Sequence, residues 1–431
     1  MMALLVGTHI FLTVRLRFPQ RHIFKAVKLS LKKDKGAEGD VSQFGALATA
    51  LAATIGTGNI VGVATAISLG GPGAIFWCWI TAIFGIATKY AEGLLAVKYR
   101  VTDKNGKMIG GPMYALEKGL GWKKLAIAFA IFTALAAFGI GDTVQANAIS
   151  TFTNKAFGIP TWVSGVAIML LAGAVLIGGI KSIAKVCTTL VPFMAVLYII
   201  GCIYILILNR EFLLPAIGLI VERAFTPAAA GGGFVGSTVM MACRFGVARG
   251  LFSNESGMGS APIVAASAKT RNPVRQALVS SSGTFWDSVI ICALTGLVIV
   301  STVIAHPDIT ENSNINGDTL TELAFSTIPF GAPFLAFSIL TFAFSTIIGW
   351  EIYGEKAAQY LKIESLYYRI VYVAAIFFGA TMDLGLAWTI ADCLNALMTI
   401  PNLISLIFLS GVIVNETRKY LWNNQLDKFE E

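Results

Sequence analysis

Thr54-Ile55-Gly56-Thr57-Gly58-Asn59-Ile60-Val61-Gly62 is a polar, glycine-rich run set inside an apolar stretch, residues 43–69. A second such run, Gly250-Leu251-Phe252-Ser253-Asn254-Glu255-Ser256-Gly257-Met258-Gly259-Ser260-Ala261-Pro262, lies inside residues 235–265. Lipid cannot satisfy backbone groups released from a helix, so interruptions of this kind survive only where they face a cavity or other protein. Their pairing decides the fold.

Composition gives the setting. Of 431 residues, 56% are hydrophobic and 13% are charged, about half the roughly 25% charge of a soluble domain. So much apolar sequence needs a lipid-facing exterior. Stretches able to cross about 30 Å of hydrocarbon fall at 1–14, 43–69, 73–97, 125–153, 162–179, 186–208, 235–265, 277–304, 329–357, 367–382 and 386–413. The chain therefore reads as an all-α, polytopic transmembrane helix bundle of about eleven spans, with no cleavable leader. Residues Phe212–Val221 are too few to cross and belong at an interface.

Basic residues set the orientation. They crowd the loop after the first span (Arg15, Arg17, Arg21, Lys25, Lys28, Lys32, Lys33, Lys35) and recur in alternate loops at Lys98–Lys124, Lys181–Lys185, Lys269–Arg275 and Lys356–Arg369. The intervening loops hold only Lys155, Arg210 and Arg223, and one is acidic, with Asp308, Glu311, Asp318 and Glu322. Positive charge stays on the cytoplasmic side, so the N-terminus is expected outside and the C-terminus in the cytoplasm, in the plasma (inner) membrane. The net charge of +8 is then a topology signal and implies no nucleic-acid partner.

The interrupted spans, the second and the seventh, stand five apart, which makes them the opening helices of two units of opposite topology. The expected layout is 1–42 for an N-terminal helix and basic loop, 43–208 and 235–413 for the two five-helix repeats, 209–234 for an extracellular connection and 414–431 for a cytoplasmic tail. Paired broken helices in inverted repeats point to the central site of a secondary transporter. Half-helix N-termini suit a carboxylate; unwound carbonyls and C-termini suit Na⁺ or an ammonium group. A zwitterionic amino acid matches both.

On this reading Thr57, Gly58, Asn59, Phe252, Ser253 and Asn254 meet the substrate from the two breaks. Gln145, midway through the fourth span, joins them, and Trp350 of the ninth walls the site. Ser345 and Thr346 offer hydroxyls to Na⁺. Asp142 is expected to serve an ion or a proton, or to pair with Arg244 or Arg249. Asp287, Asp392 and Asn395 read as links between helices, and Lys89 with Glu92 as an i,i+3 pair near a membrane face. Gly56-x-Gly58 follows no strand, so a dinucleotide fingerprint is excluded. His9, His22 and His306 have no metal-ligand spacing, and the six cysteines no paired spacing; neither an enzyme nor an organic cofactor is indicated. A proton-coupled transporter and an ion channel are the alternatives, and no obligate protein partner is evident.

Three long motifs carry a resemblance: Gly70-Gly71-Pro72-Gly73-Ala74-Ile75-Phe76-Trp77-Cys78-Trp79-Ile80-Thr81-Ala82-Ile83-Phe84-Gly85, then Arg249–Pro262, then Asn395-Ala396-Leu397-Met398-Thr399-Ile400-Pro401-Asn402-Leu403. In these the chain resembles the sodium:alanine/glycine symporters, the alanine or glycine:cation symporter family, with Cys78 where Met is usual. The resemblance implies a LeuT-like fold, with one extra N-terminal helix before two inverted repeats. It also implies Na⁺-coupled uptake of a small neutral amino acid, alanine or glycine. By the same analogy the Na⁺ site combines Ser345 and Thr346 with backbone carbonyls near Gly58 and Val61.

Overall fold

The computed structural model describes every residue except 1, 33, 35, 228–236, 308–316, 383 and 431. Lys33, Lys35, Asp308, Glu311, the end of the 209–234 connection and the first residues of the seventh stretch therefore lie outside the described residues.

Helices occupy all eleven predicted stretches. Gly73–Lys98, Lys123–Phe157, Gly179–Leu208, Pro273–Ala305 and Gly331–Tyr360 are each long and apolar enough to cross a membrane alone. Thr161–Leu176 and Ser365–Thr381 are shorter apolar helices. The first span, Met2–Arg15, bends by 66° into Pro19–Ser30. Arg17 and Phe18 take left-handed backbone there, and Pro19 follows. The last span, expected as one helix, bends by 57° between Phe408 and Ser410.

Both interruptions are present. Gln43–Thr54 is capped by Ser42, whose hydroxyl accepts from the Gly45 N–H. It stops at Ile55, and the chain resumes toward Val63–Gly70 at an angle of 53°. In the seventh span Val239–Asn254 ends at Glu255, which takes left-handed backbone, and Ala261–Ala265 restarts the helix. This break is shorter than the motif suggested, because Gly250–Asn254 remain helical. Wide helical turns at Ala137–Thr143 and Phe285–Cys292 mark the fourth and eighth spans. Such π-type turns are frequent at functional sites.

Two groups of helices form. The second, third, seventh and eighth spans pack together, as do the fourth, fifth, ninth and tenth. The first half of the second span packs across the divide against the ninth. Small residues make the approach close: Gly349 faces Ala53, where an added Cβ would lie 2.7 Å from the Ala53 backbone nitrogen. Helix association in lipid relies on such contact. Arg210–Phe225, the segment too short to span, is a helix packed beside the third and eighth spans.

Candidate functional site

The end of Gln43–Thr54 leaves carbonyls without helical partners. One side chain of the ninth span reaches them. The Ser345 hydroxyl lies 3.2 Å from the Ala52 carbonyl and 3.5 Å from that of Ile55, while also bonding its own Phe342 carbonyl at 2.8 Å. Thr346 lies beside it, bonded to the same Phe342 carbonyl at 3.0 Å, with its hydroxyl against Gly56. The two hydroxyls and the carbonyls of Ala52 and Ile55 are thus gathered, buried, where the ninth span meets the end of the half-helix.

The carbonyls differ from those expected. The Gly58 and Val61 carbonyls each accept a hydrogen bond within the second span, and no hydrogen bond joins either to Ser345 among the described residues. The Gly58 carbonyl accepts from the Val63 N–H, and the Val61 carbonyl accepts from the Thr65 hydroxyl at 2.8 Å. The carbonyls beside Ser345 are those of Ala52 and Ile55, at the end of the half-helix.

The break itself is held from two sides. Asn59 Oδ1 accepts from the Gly56 N–H at 2.9 Å. Gln145 Oε1 accepts from the Thr57 hydroxyl at 3.1 Å and from the Thr57 N–H at 3.4 Å, while its Nε2 donates to the Ile140 carbonyl. Gln145 thus has both ends of its amide engaged. A substrate ammonium group that met Oε1 would compete with Thr57, and a carboxylate that met Nε2 with the Ile140 carbonyl.

Asp287 joins the two broken helices. Its Oδ1 accepts from Asn59 Nδ2 at 2.7 Å, and its Oδ2 accepts from the Ser253 hydroxyl at 2.9 Å and from Ser288 at 2.6 Å. The sequence reading made Asp287 a link between helices, and it is one. That the link ties both interruptions together could not be read from spacing alone. Phe252 lies on Gly58, whose added Cβ would come within 3.0 Å of the ring. Asn254 turns the seventh break, its Oδ1 accepting from the Ser256 N–H at 2.9 Å.

Other residues lie elsewhere. Trp350 is fully buried against Gly141 of the fourth span, with the Tyr353 ring 5.3 Å away. The two carboxylate oxygens of Asp142 have no hydrogen-bond partner among the described residues, and the expected ion pair with Arg244 or Arg249 does not form. Arg249 instead stands 3.9 Å from Asp392, and Arg244 lies over the Phe245 ring. Lys89 and Glu92 are not a surface pair: both are buried, at 3% and 2% exposure. Thr321, in the helix Gly317–Ser326 before the ninth span, donates to the Ile60 carbonyl at 3.3 Å, which brings that segment onto the second break. Nothing in the sequence flags Ala52, Ile55 or Thr321. Glu92 was detectable, as a carboxylate well inside an apolar helix.

Two interrupted helices, cross-linked over a polar centre inside a membrane bundle, define a secondary transporter. The sodium:alanine symporter family model matches residues 1–431, and the chain belongs to that family. It is 50% identical to the sodium/alanine symporter AgcS of Methanococcus maripaludis, over 100% of this chain and 95% of that one. It is 38% identical to the probable sodium/glutamine symporter GlnT of Bacillus subtilis, over 97% and 87% of the two chains. Among solved structures, MhsT in complex with L-phenylalanine superposes with a TM-score of 0.64 at 14% identity, covering 91% of this chain and 96% of that one. That likeness is one of fold, and it makes the architecture LeuT-like.

Proposed function

We propose that this protein imports small neutral amino acids, alanine and glycine foremost, by sodium-driven alternating access. Its N-terminus lies outside and its C-terminus in the cytoplasm, and the repeats 43–208 and 235–413 rock about a central site. The observation that carries this reading is the Ser345 hydroxyl at the carbonyl ends of the first half of the second span. A cation bound there bridges the two helix groups and also neutralises the negative end of a half-helix. Ion binding then favours one arrangement of the groups, as coupling requires.

The substrate lies next to that ion, between the breaks. Thr57, Gly58 and Asn59 meet it on one side, and Phe252, Ser253 and Asn254 on the other. Gln145 exchanges its bond to Thr57 for one to the substrate. Asp287 keeps the breaks in register and offers negative charge toward an ammonium group. The ring of Phe252 limits side-chain room, with Trp350 fixing the fourth span behind it. One methyl group is worth only about 1–3 kcal/mol in an apolar pocket, so rejection of larger residues rests on steric exclusion by the Phe252 ring.

The test is counterflow of labelled alanine in reconstituted vesicles. Excess glycine should suppress it in the presence of Na⁺, and excess leucine should not. Equal suppression by leucine would remove the size limit and with it the substrate assignment.

A further inference from the structure

Glu92 of the third span touches neither the proposed cation site nor the breaks' cross-link at Asp287, yet it is tied into the seventh span. Its Oε1 accepts three hydrogen bonds: from the backbone N–H groups of Gly257 and Gly259 at 3.0 Å each, and from Asn402 Nδ2 at 2.7 Å. Asn402, on the eleventh span, donates again to the Gly257 carbonyl at 2.9 Å. The interruption Glu255–Ser260 is thus gripped by two spans that belong to neither broken helix.

The gripped residues have backbone that only glycine adopts freely. Gly257 has φ +93° and Gly259 φ +84°. An added Cβ at Gly259 would lie 2.7 Å from Pro112. Beyond the grip there is space. A cavity of about 20 Å³, room for one water molecule, is lined by Ala261, Pro262 and Ala265 and by Gly93 and Lys89 of the third span. Lys89 Nζ and Asn254 Nδ2, both on its wall, have no hydrogen-bond partner among the described residues. A fixed point, permissive backbone and free volume beside the short half-helix are the requirements of a hinge.

We propose that Glu92, held by Asn402, is the pivot of the seventh span. It anchors Gly257 and Gly259 while Ala261–Ala265 swings relative to Val239–Asn254. Glu92 acts through the backbone and is a positioning residue; it governs the rate of alternation rather than the binding of alanine or Na⁺. The proposal rests on the transport reading above. Charge matters to it, since hydrogen bonds from N–H groups to a carboxylate are roughly twice as strong as those to a neutral acceptor.

The experiment measures alanine binding and alanine turnover on the same reconstituted preparations of wild type, Glu92→Gln and Asn402→Ala. Turnover per alanine-binding site should fall about tenfold in Glu92→Gln and about threefold in Asn402→Ala, as expected for weakened hydrogen bonds. The alanine Kd and the half-saturating Na⁺ concentration should stay within about twofold. The double variant should be no slower than Glu92→Gln, because both changes act on one oxygen. A Kd or Na⁺ requirement raised more than about fivefold with turnover per site intact would make Glu92 part of the ligand site, overturning the pivot. Fewer binding sites, each turning over at the wild-type rate, would reduce it to a structural brace and also overturn it. If Glu92→Gln does not fold, Asn402→Ala decides by the same criteria, since it leaves both backbone bonds in place. Wild type that neither binds nor moves alanine with Na⁺ would overturn the transport reading, and the pivot falls with it.

Discussion

If Ser345 and Thr346 hold sodium as proposed, the site needs little side-chain chemistry in lipid. Two hydroxyls would suffice there because the end of the half-helix brings the Ala52 and Ile55 carbonyls to Ser345. Replacing Ser345 by Ala should raise the half-saturating Na⁺ concentration about tenfold, the equivalent of about 1.4 kcal/mol. The alanine KM at saturating Na⁺ should be unaffected. Uptake measured across a Na⁺ series checks this, and an unchanged Na⁺ requirement would remove Ser345 from the site. The hydroxyls were legible in the sequence as mid-span polar residues. Their carbonyl partners were not, because any residue presents a carbonyl and only the place where the helix stops decides which are free. Gln145 was legible for the same reason as Ser345, whereas its bond to Thr57 depends on how two spans meet. At this scale Gln145→Ala should weaken alanine binding about tenfold, by loss of hydrogen bonding to a charged group; direct binding measurements at fixed Na⁺ would register it.

At the scale of the helix, the interruptions were the plainest feature of the sequence and the structure places both. Their extents differ from the motif boundaries. Gly250–Asn254 stay helical because the chain turns only where Glu255, Gly257 and Gly259 take left-handed backbone. The contact between the second and ninth spans sets the geometry of the proposed cation site, and Gly349 lies in that contact. A methyl group there meets the Ala53 backbone, which cannot yield as a flexible side chain would. Gly349→Ala should therefore push the spans apart and raise the Na⁺ requirement at least as much as Ser345→Ala, with thermal stability lowered by about 1–3 kcal/mol from overpacking. A melting curve and a Na⁺ titration on one preparation check both. If stability falls while the Na⁺ requirement holds, the spans are braced elsewhere. Lys89 and Glu92 teach the opposite lesson. Spacing made them neighbours on one helix, but not which helix they face, and the structure turns them inward toward the seventh span.

For the whole molecule, the two helix groups and the connections between them carry the account. The parity read from Lys and Arg stays an expectation; the helical stretches were readable because hydrophobic thickness acts on the entire chain at once. Packing partners were not, since apolar faces look alike to lipid and to neighbouring helices. Orientation is a prediction at this scale: a tag at the C-terminus should be reached by a protease only from the cytoplasmic side, and digestion in intact cells would reverse the assignment. The central claim is that movement of the groups is driven by a sodium gradient. Its most direct test is accumulation of labelled alanine in proteoliposomes at fixed pH, with an inward Na⁺ gradient set against an equal K⁺ gradient. Alanine should rise above its equilibrium level under Na⁺ and then decay as the gradient runs down, with no such overshoot under K⁺. Equal uptake under both ions, levelling at equilibrium, would contradict coupling at Ser345 and leave a protein that passes alanine without being driven by sodium.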